Sequence, residues 1–151
     1  DRLLDLAADL NLDGRLRGQP AALHLQVQGA GNLWQVPRLE VHLGEQMGWP
    51  VPTFLRGASE VIDAAGLNPF GAVAEGYTHM VAFCREAPTG DVEGATTDVD
   101  RFHVHGREVH WLIHGGVSTS AMTLPKLARL IGPNTTRNVT TVRKLADLLR
   151  Q

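Results

Sequence analysis

The chain has 151 residues, 43% of them hydrophobic and 20% charged, and its 14 Lys and Arg against 16 Asp and Glu leave a formal charge of -2. That composition suits one domain, or two small ones, around an aliphatic core, and it excludes disordered and collagen-like chains. It also excludes a global positive field, so nucleic acid is not an expected partner and any basic site has to be local.

Leu3, Leu6, Ala7 and Leu10 recur at helical spacing, which predicts an amphipathic helix ended by Gly14. Leu23, Leu25 and Val27 alternate with polar residues as in a half-buried strand, and the turn GAGN joins it to a short strand, LWQV. Pro37 opens a helix that sets Leu39, Leu43 and Met47 on one face before Gly48 stops it. The prolines of VPTFLR predict an edge strand, and Ser59 is the expected N-cap of a helix turning Val61, Ile62 and Ala65 inward.

After the helix-breaking GLNPFG, YTHMVAFC is an apolar strand and the polar, glycine-containing REAPTGDVEGATTDVD a mobile connection. RFHVHGREVHWLIH is a hairpin, TLPKLARLIG a short helix closed by Gly132, and the last helix follows Asn138. Helices alternate with strands, and hairpins interrupt them. The expected class is therefore α+β: two ferredoxin-like subdomains, residues 1–57 and 58–151, with mixed or antiparallel sheets and helices on one face.

The lone Cys84 follows the apolar Met80, Val81, Ala82 and Phe83, so it reads as a buried, inert thiol in a reducing cytosol. No apolar run approaches the roughly 20 residues that span a bilayer, and no membrane partner is expected. The chain opens on Asp1 rather than Met, as a fragment or a trimmed chain would.

Chemistry is concentrated in the second half. With Gly106 and Arg107 as turn residues, His105 faces Glu108, Val104 faces Val109, His103 faces His110 and Phe102 faces Trp111. Phe102, Val104, Val109, Trp111 and Ile113 then share a core face. His103, His105, Glu108 and His110 share the other, which is either a solvated sheet face or a patch able to take a divalent metal. No other cofactor is expected.

HGGVSTS, residues 114–120, joins a strand to a helix, an arrangement in which backbone N–H groups of Gly115 and Gly116 and the hydroxyls of Ser118 and Ser120 can face a phosphate. It lacks P-loop spacing. It also lacks the later His that a nucleophile elbow needs. In PNTTRNVTTVRKL, Asn138 reads as an N-cap, while Thr136, Arg137 and Thr141 add donors and charge beside the helix dipole. Capping competes with anion binding at both places.

GPNTTRNVTTVRKLADLL resembles the closing signature of family 1697 of the bacterial domains of unknown function, with Thr136, Arg137, Asn138, Thr141, Val142, Lys144, Leu145 and Ala146 fitting its pattern. HGREVHWLIHGGVSTS, GWPVPTFLRGASEVIDAAGLNPF and LQVQGAGNLW are similar to its hairpin and glycine turn, its central segment and an early strand. The resemblance implies two ferredoxin-like subdomains and no established activity. Three features depart from the family pattern. The family's opening strand is missing before Asp1; Thr119, Ser120 and Ala121 stand where the family tends to carry Arg, Ser and Lys; and Val139 or a neighbour replaces a frequent tryptophan.

The resulting expectation is a small cytoplasmic module binding an anion in a groove between residues 115–120 and 135–138. The alternatives are a metal-dependent enzyme built on the hairpin patch, and a homodimer formed through a vacant strand position near residues 22–28.

Overall fold

The computed structural model describes residues 36–150, so the expected helix at Leu3–Leu10 and the strand and dimer position near residues 22–28 lie outside the described residues. The chain divides into two units, Asp1–Leu55 and Arg56–Gln151.

In the first unit, helix α1 (Val36–Met47) starts beside Pro37, buries Leu43, and ends at Gly48, whose N–H donates to the Gly44 carbonyl at 2.9 Å. Gly48 has a φ of 80°, which a residue with a Cβ adopts only under strain. The strand expected at VPTFLR does not form. Pro50 and Pro52 remove two ladder donors. The N–H of Thr53 turns instead to the Glu40 carboxylate at 2.9 Å, and the Thr53 hydroxyl to the Val51 carbonyl at 3.2 Å.

The second unit runs α2 (Ala58–Gly66), β1 (Tyr77–Cys84), β2 (Asp100–His105), β3 (Glu108–His114), α3 (Leu124–Ile131), β4 (Asn134–Asn138) and α4 (Val139–Leu149). Short 3-10 turns occupy Glu93–Ala95 and Val117–Thr119. The strands form one four-stranded sheet in the order β2-β3-β1-β4, with every neighbouring pair antiparallel. The hairpin register is the expected one, from Phe102 opposite Trp111 to His105 opposite Glu108. Glycine at 106, with a φ of 60°, permits the tight turn.

Alternation assigns each strand residue to a face. Ala82, Cys84, Phe102, Val109, Trp111 and Ile113 pack with Leu127 and Ile131 of α3. Val81 and Phe83 point the other way, onto Val61, Ala64 and Ala65 of α2 and Val139, Val142 and Ala146 of α4. Helices therefore cover both faces of this sheet, not one. The apolar run Val81 to Cys84 requires it, because consecutive apolar residues on a strand need cover on both sides.

Three further expectations change. The N-cap of α2 is Gly57, whose N–H is held by Glu60 Oε2 at 2.8 Å, and Ser59 falls inside the first turn. Residues 85–99 are anchored through Val92, buried in the α3-side core, with Ala95 and Val99 packed against it. Glu93 Oε1 also accepts the Val104 N–H at 3.1 Å, which occupies the outer edge of β2 and blocks strand addition there. Finally, Asn134 to Asn138 form a strand against Cys84 to Met80 before the last helix begins. Among the described residues no helix is long and apolar enough to cross a membrane.

Arg56 ties these parts together. Its Nε donates to Glu108 Oε1 at 2.6 Å, and its Nη2 donates to the carbonyls of Cys84 and, at 3.1 Å, of Arg107. The two side chains are 5% and 7% exposed, so the pair is desolvated. Removing one member leaves the other charged in a buried place, at a cost of about 3–5 kcal/mol. Arg56→Met and Glu108→Leu are each expected to lower the unfolding free energy measured by urea titration by that amount, with the double variant more stable than either single one. Equal additivity of the two losses would show that the groups are not coupled. Leu127→Ala, which empties a fully buried position under α3, is expected to cost about 2–5 kcal/mol in the same measurement.

Candidate functional site

The α2/α4 side of the sheet carries an unusual set of side chains. Register and alternation place Arg101, His103 and His105 of β2 there, with Glu108, His110, Leu112 and His114 of β3. Tyr77, His79, Val81 and Phe83 of β1 and Thr135 and Arg137 of β4 complete the face.

At its centre, His79 Nε2 and His110 Nδ1 share a hydrogen bond of 2.9 Å. The rings are 4% and 0% exposed. Only one of the two nitrogens in that bond carries the proton. If His79 Nε2–H donates, His79 Nδ1 is a bare acceptor and His110 Nε2–H a bare donor; in the other tautomer these roles exchange. Among the described residues neither outer nitrogen has a hydrogen-bond partner. Burial drives the pKa of His79 down to about 4, aided by the Arg143 charge, and burial does the same for His110, aided by His79, His103 and His105. Both rings are therefore neutral at pH 7. Phe70 meets the His79 ring edge-on, with centroids 5.4 Å apart, and the Arg101 guanidinium lies 5.3 Å from the Phe70 centroid.

The four residues expected to share a solvated or metal-binding face lie together on it, but Glu108, His110 and His103 are committed to separate partners. Glu108 is buried and held by Arg56, and His110 is buried and held by His79. His103 Nδ1 sits 3.2 Å from Glu93 Oε1, and His105 is exposed. Among the described residues no group of three or more His, Cys, Asp or Glu is gathered so as to hold a metal ion. The solvated-face expectation is corrected at Glu108 and His110, because β3 is an inner strand of a sheet covered on both sides.

The glycine loop turns its polar groups inward. The Gly115 N–H donates to the Gly76 carbonyl at 2.7 Å, and the Gly116 N–H donates to Thr119 Oγ1 at 3.2 Å. Gly115 has a φ of 97°, and a Cβ there would lie 2.5 Å from Thr119 Oγ1, so only glycine fits. Ser120 Oγ donates to Asp100 Oδ1 at 2.7 Å, where Trp111 Nε1 also donates at 2.8 Å, and accepts the Met122 N–H at 2.9 Å. Ser118 is exposed within the 3-10 turn, and Thr123, not a loop serine, caps α3.

At the other expected segment, Asn138 Oδ1 accepts the Thr140 N–H at 2.9 Å and so caps α4. The Thr136 hydroxyl donates to Asn134 Oδ1 at 2.9 Å, and Thr141 is exposed. Arg137 is half-buried, and burial lowers its pKa.

The two segments are not brought together. Ser120 reaches Asp100, whose neighbour along the α3-side core is Trp111, whereas Arg137 stands opposite Val81 on the α2/α4 side. Gly115 bonds Gly76 while Asn138 pairs with Met80, a separation of about 13 Å along β1 at the usual strand rise. Cys84 is buried, which pushes its thiol up to about 11 and leaves it unreactive at neutral pH.

Sequence reasoning passed over Arg56, Phe70, His79 and Asp100. His79 shares the phase of Val81 and Phe83 in an alternating strand, the one signal that could have paired it with His110. Compared with family models, curated proteins and solved structures, the chain matches none.

Because both histidine pKa values are depressed on folding, the unfolded chain binds more protons between about pH 4 and the ordinary histidine value near 6.5. Stability from this source is complete above that window and is lost as pH falls through it, by at most about 1.4 kcal/mol per pH unit for each ring. Urea unfolding from pH 7 to 4.5 is expected to show a steeper acid loss for the natural chain than for a His79→Leu, His110→Leu variant. Identical slopes would disprove the assignment. Separately, Asp100→Ala removes the acceptor of two donors and is expected to cost about 1–3 kcal/mol while speeding amide exchange across residues 116–122.

Proposed function

We propose that the second unit is a binding module for an anionic ligand bearing phosphate or carboxylate, seated on the α2/α4 side of the sheet toward β2. One observation carries this reading: the strands place His79, His103, His105, His110 and His114, five of the chain's seven histidines, on that face together with Arg101 and Arg137. Among the described strand residues Glu108 is the sole carboxylate on that face, and Arg56 neutralises it. In a chain whose formal charge is -2, Arg101 and Arg137 make this face locally cationic, while the neutral His79 and His110 rings contribute no charge at pH 7. Arg101, His105 and His114 are exposed and His103 is half-buried, so an anion can reach them from solvent.

The site differs in place from the groove between residues 115–120 and 135–138, since those hydroxyls and N–H groups are largely engaged internally; Arg137 is the member of that set on the cationic face. Binding rather than catalysis fits the nucleophiles: the Cys84 thiol stays protonated, and Ser120 donates to a carboxylate instead of to a base. A free buried cysteine also fits a cytoplasmic setting.

The strand order β2-β3-β1-β4, with Val92 of the first crossover and α3 of the second both packed on one core, supports reading this unit as a ferredoxin-like plait. In the first crossover the 3-10 turn Glu93–Ala95 stands where a plait has a helix. Membership of family 1697 is proposed on the sequence signature alone.

Titration with inorganic phosphate and with citrate, followed through backbone amide and imidazole NMR signals, tests the reading. Saturable shifts are expected at Arg101, His103, His105 and His114, and Arg101→Gln is expected to weaken binding about tenfold, the worth of one charge-assisted hydrogen bond. Silence of those signals up to tens of millimolar ligand would overturn it.

A further inference from the structure

The cationic face ends in an aromatic step. Tyr77 and His114 are cross-strand partners at the last register position of β1 and β3. Their rings stack with centroids 4.7 Å apart and planes 19° from parallel. That separation equals the spacing of neighbouring strands, about 4.7–4.9 Å. The ring planes therefore stand across the inter-strand direction, and the outer face of each ring looks along the sheet, away from its partner.

Among the described residues, the strand register sets no paired residue of β4 beyond Tyr77 and none of β2 beyond His114. Beyond Tyr77, β4 pairs with β1 only from Met80 onward. Beyond His114, β2 begins opposite Ile113, and Val99, whose carbonyl accepts the His114 N–H at 2.8 Å, packs its side chain against the α3-side core. Tyr77 is 41% exposed and His114 is exposed. Arg101, paired with Leu112, is the diagonal neighbour of His114 on the same face, and diagonal neighbours sit roughly 7–8 Å apart. Its exposed guanidinium is steadied over the Phe70 ring at 5.3 Å, and Phe70 in turn rests on His79.

We propose that the anion taken by this face is a planar aromatic one, of the purine mononucleotide class, whose ring extends the Tyr77–His114 stack on the His114 side while its phosphate meets Arg101 and the neighbouring β2 histidines. The inference rests on the anion-binding reading above and adds the ligand class to it. Stacking of a base on an aromatic side chain is worth roughly five- to 150-fold in affinity, and the guanidinium supplies a charge-assisted partner beside the stack. A ring in this position excludes water from one side of the arginine and strengthens that contact.

Adenosine monophosphate, adenosine and inorganic phosphate, each titrated against the full chain by calorimetry and NMR, separate the contributions. The monophosphate is expected to bind at least tenfold more tightly than phosphate, with upfield shifts of the Tyr77 and His114 ring protons. Tyr77→Phe keeps the preference. His114→Ser abolishes it, bringing the monophosphate and phosphate affinities of that variant together, with the urea midpoint of each variant establishing that it is folded. Phosphate and monophosphate binding equally well, or an unchanged preference in His114→Ser, would overturn the aromatic assignment and leave the anion reading standing. Adenosine binding as tightly as its monophosphate would overturn the assignment of an anion to the stack, and failure of every anion to bind would remove both readings.

Discussion

The buried pair of Arg56 and Glu108 is the constraint on which the second unit depends. An ion pair this desolvated gives little net stability by itself, since the Coulombic gain is spent on removing two charges from water. Its importance is geometric. Arg56 precedes α2, Glu108 opens β3, and the same guanidinium donates to carbonyls at the end of β1 and in the hairpin turn. One side chain thus fixes where the first helix leaves the sheet, where β1 stops and how the β2–β3 turn closes. A hydrophobic substitute could fill the volume, but it could not satisfy those carbonyls.

Once β3 is held as an inner strand under that pair, the chemistry of its polar phase follows. Glu108, His110, Leu112 and His114 alternate with Val109, Trp111 and Ile113. In a sheet open on one side the first set would be wet and fully titratable. Here α2 and α4 cover part of that side, so Glu108 needs Arg56 and His110 needs His79, while His114 at the far end stays in solvent. One periodic pattern gives three outcomes: a structural ion pair, a neutral imidazole pair and an exposed ring.

The parts of this fold legible in the sequence are those governed by local rules. The hairpin could be registered residue by residue because Gly106 admits the turn and a period of two fixes the rest. The apolar phase predicted the core contacts of Phe102, Val109, Trp111 and Ile113 for the same reason. What local rules do not contain is the cover on the second face, and so Glu108 and His110 read as solvated. The run YTHMVAFC held the missing signal, since apolar residues in both phases of one strand imply a buried two-sided sheet. The strand at Asn134–Asn138 was hidden because Asn and Thr favour caps and turns in isolation, and pairing with β1 overrides that preference. VPTFLR failed in the opposite direction: β-branched and aromatic residues suggested a strand, but two prolines removed the donors a ladder needs.

The candidate site lies on strands, although the glycine loop and the helix entrance are the more obvious places for an anion. Free N–H groups at loops and helix ends attract anions only while they remain free, and in this chain Thr119, Asp100 and Asn138 supply internal acceptors for the donors of those segments. On the sheet face, His103 has Glu93 and His110 has His79 as partners, while Arg101, His105 and His114 stay exposed and Glu108 is committed to Arg56. Local capping therefore consumes the free donors of the segments that sequence motifs favour, and the proposed anion site falls on the sheet face instead.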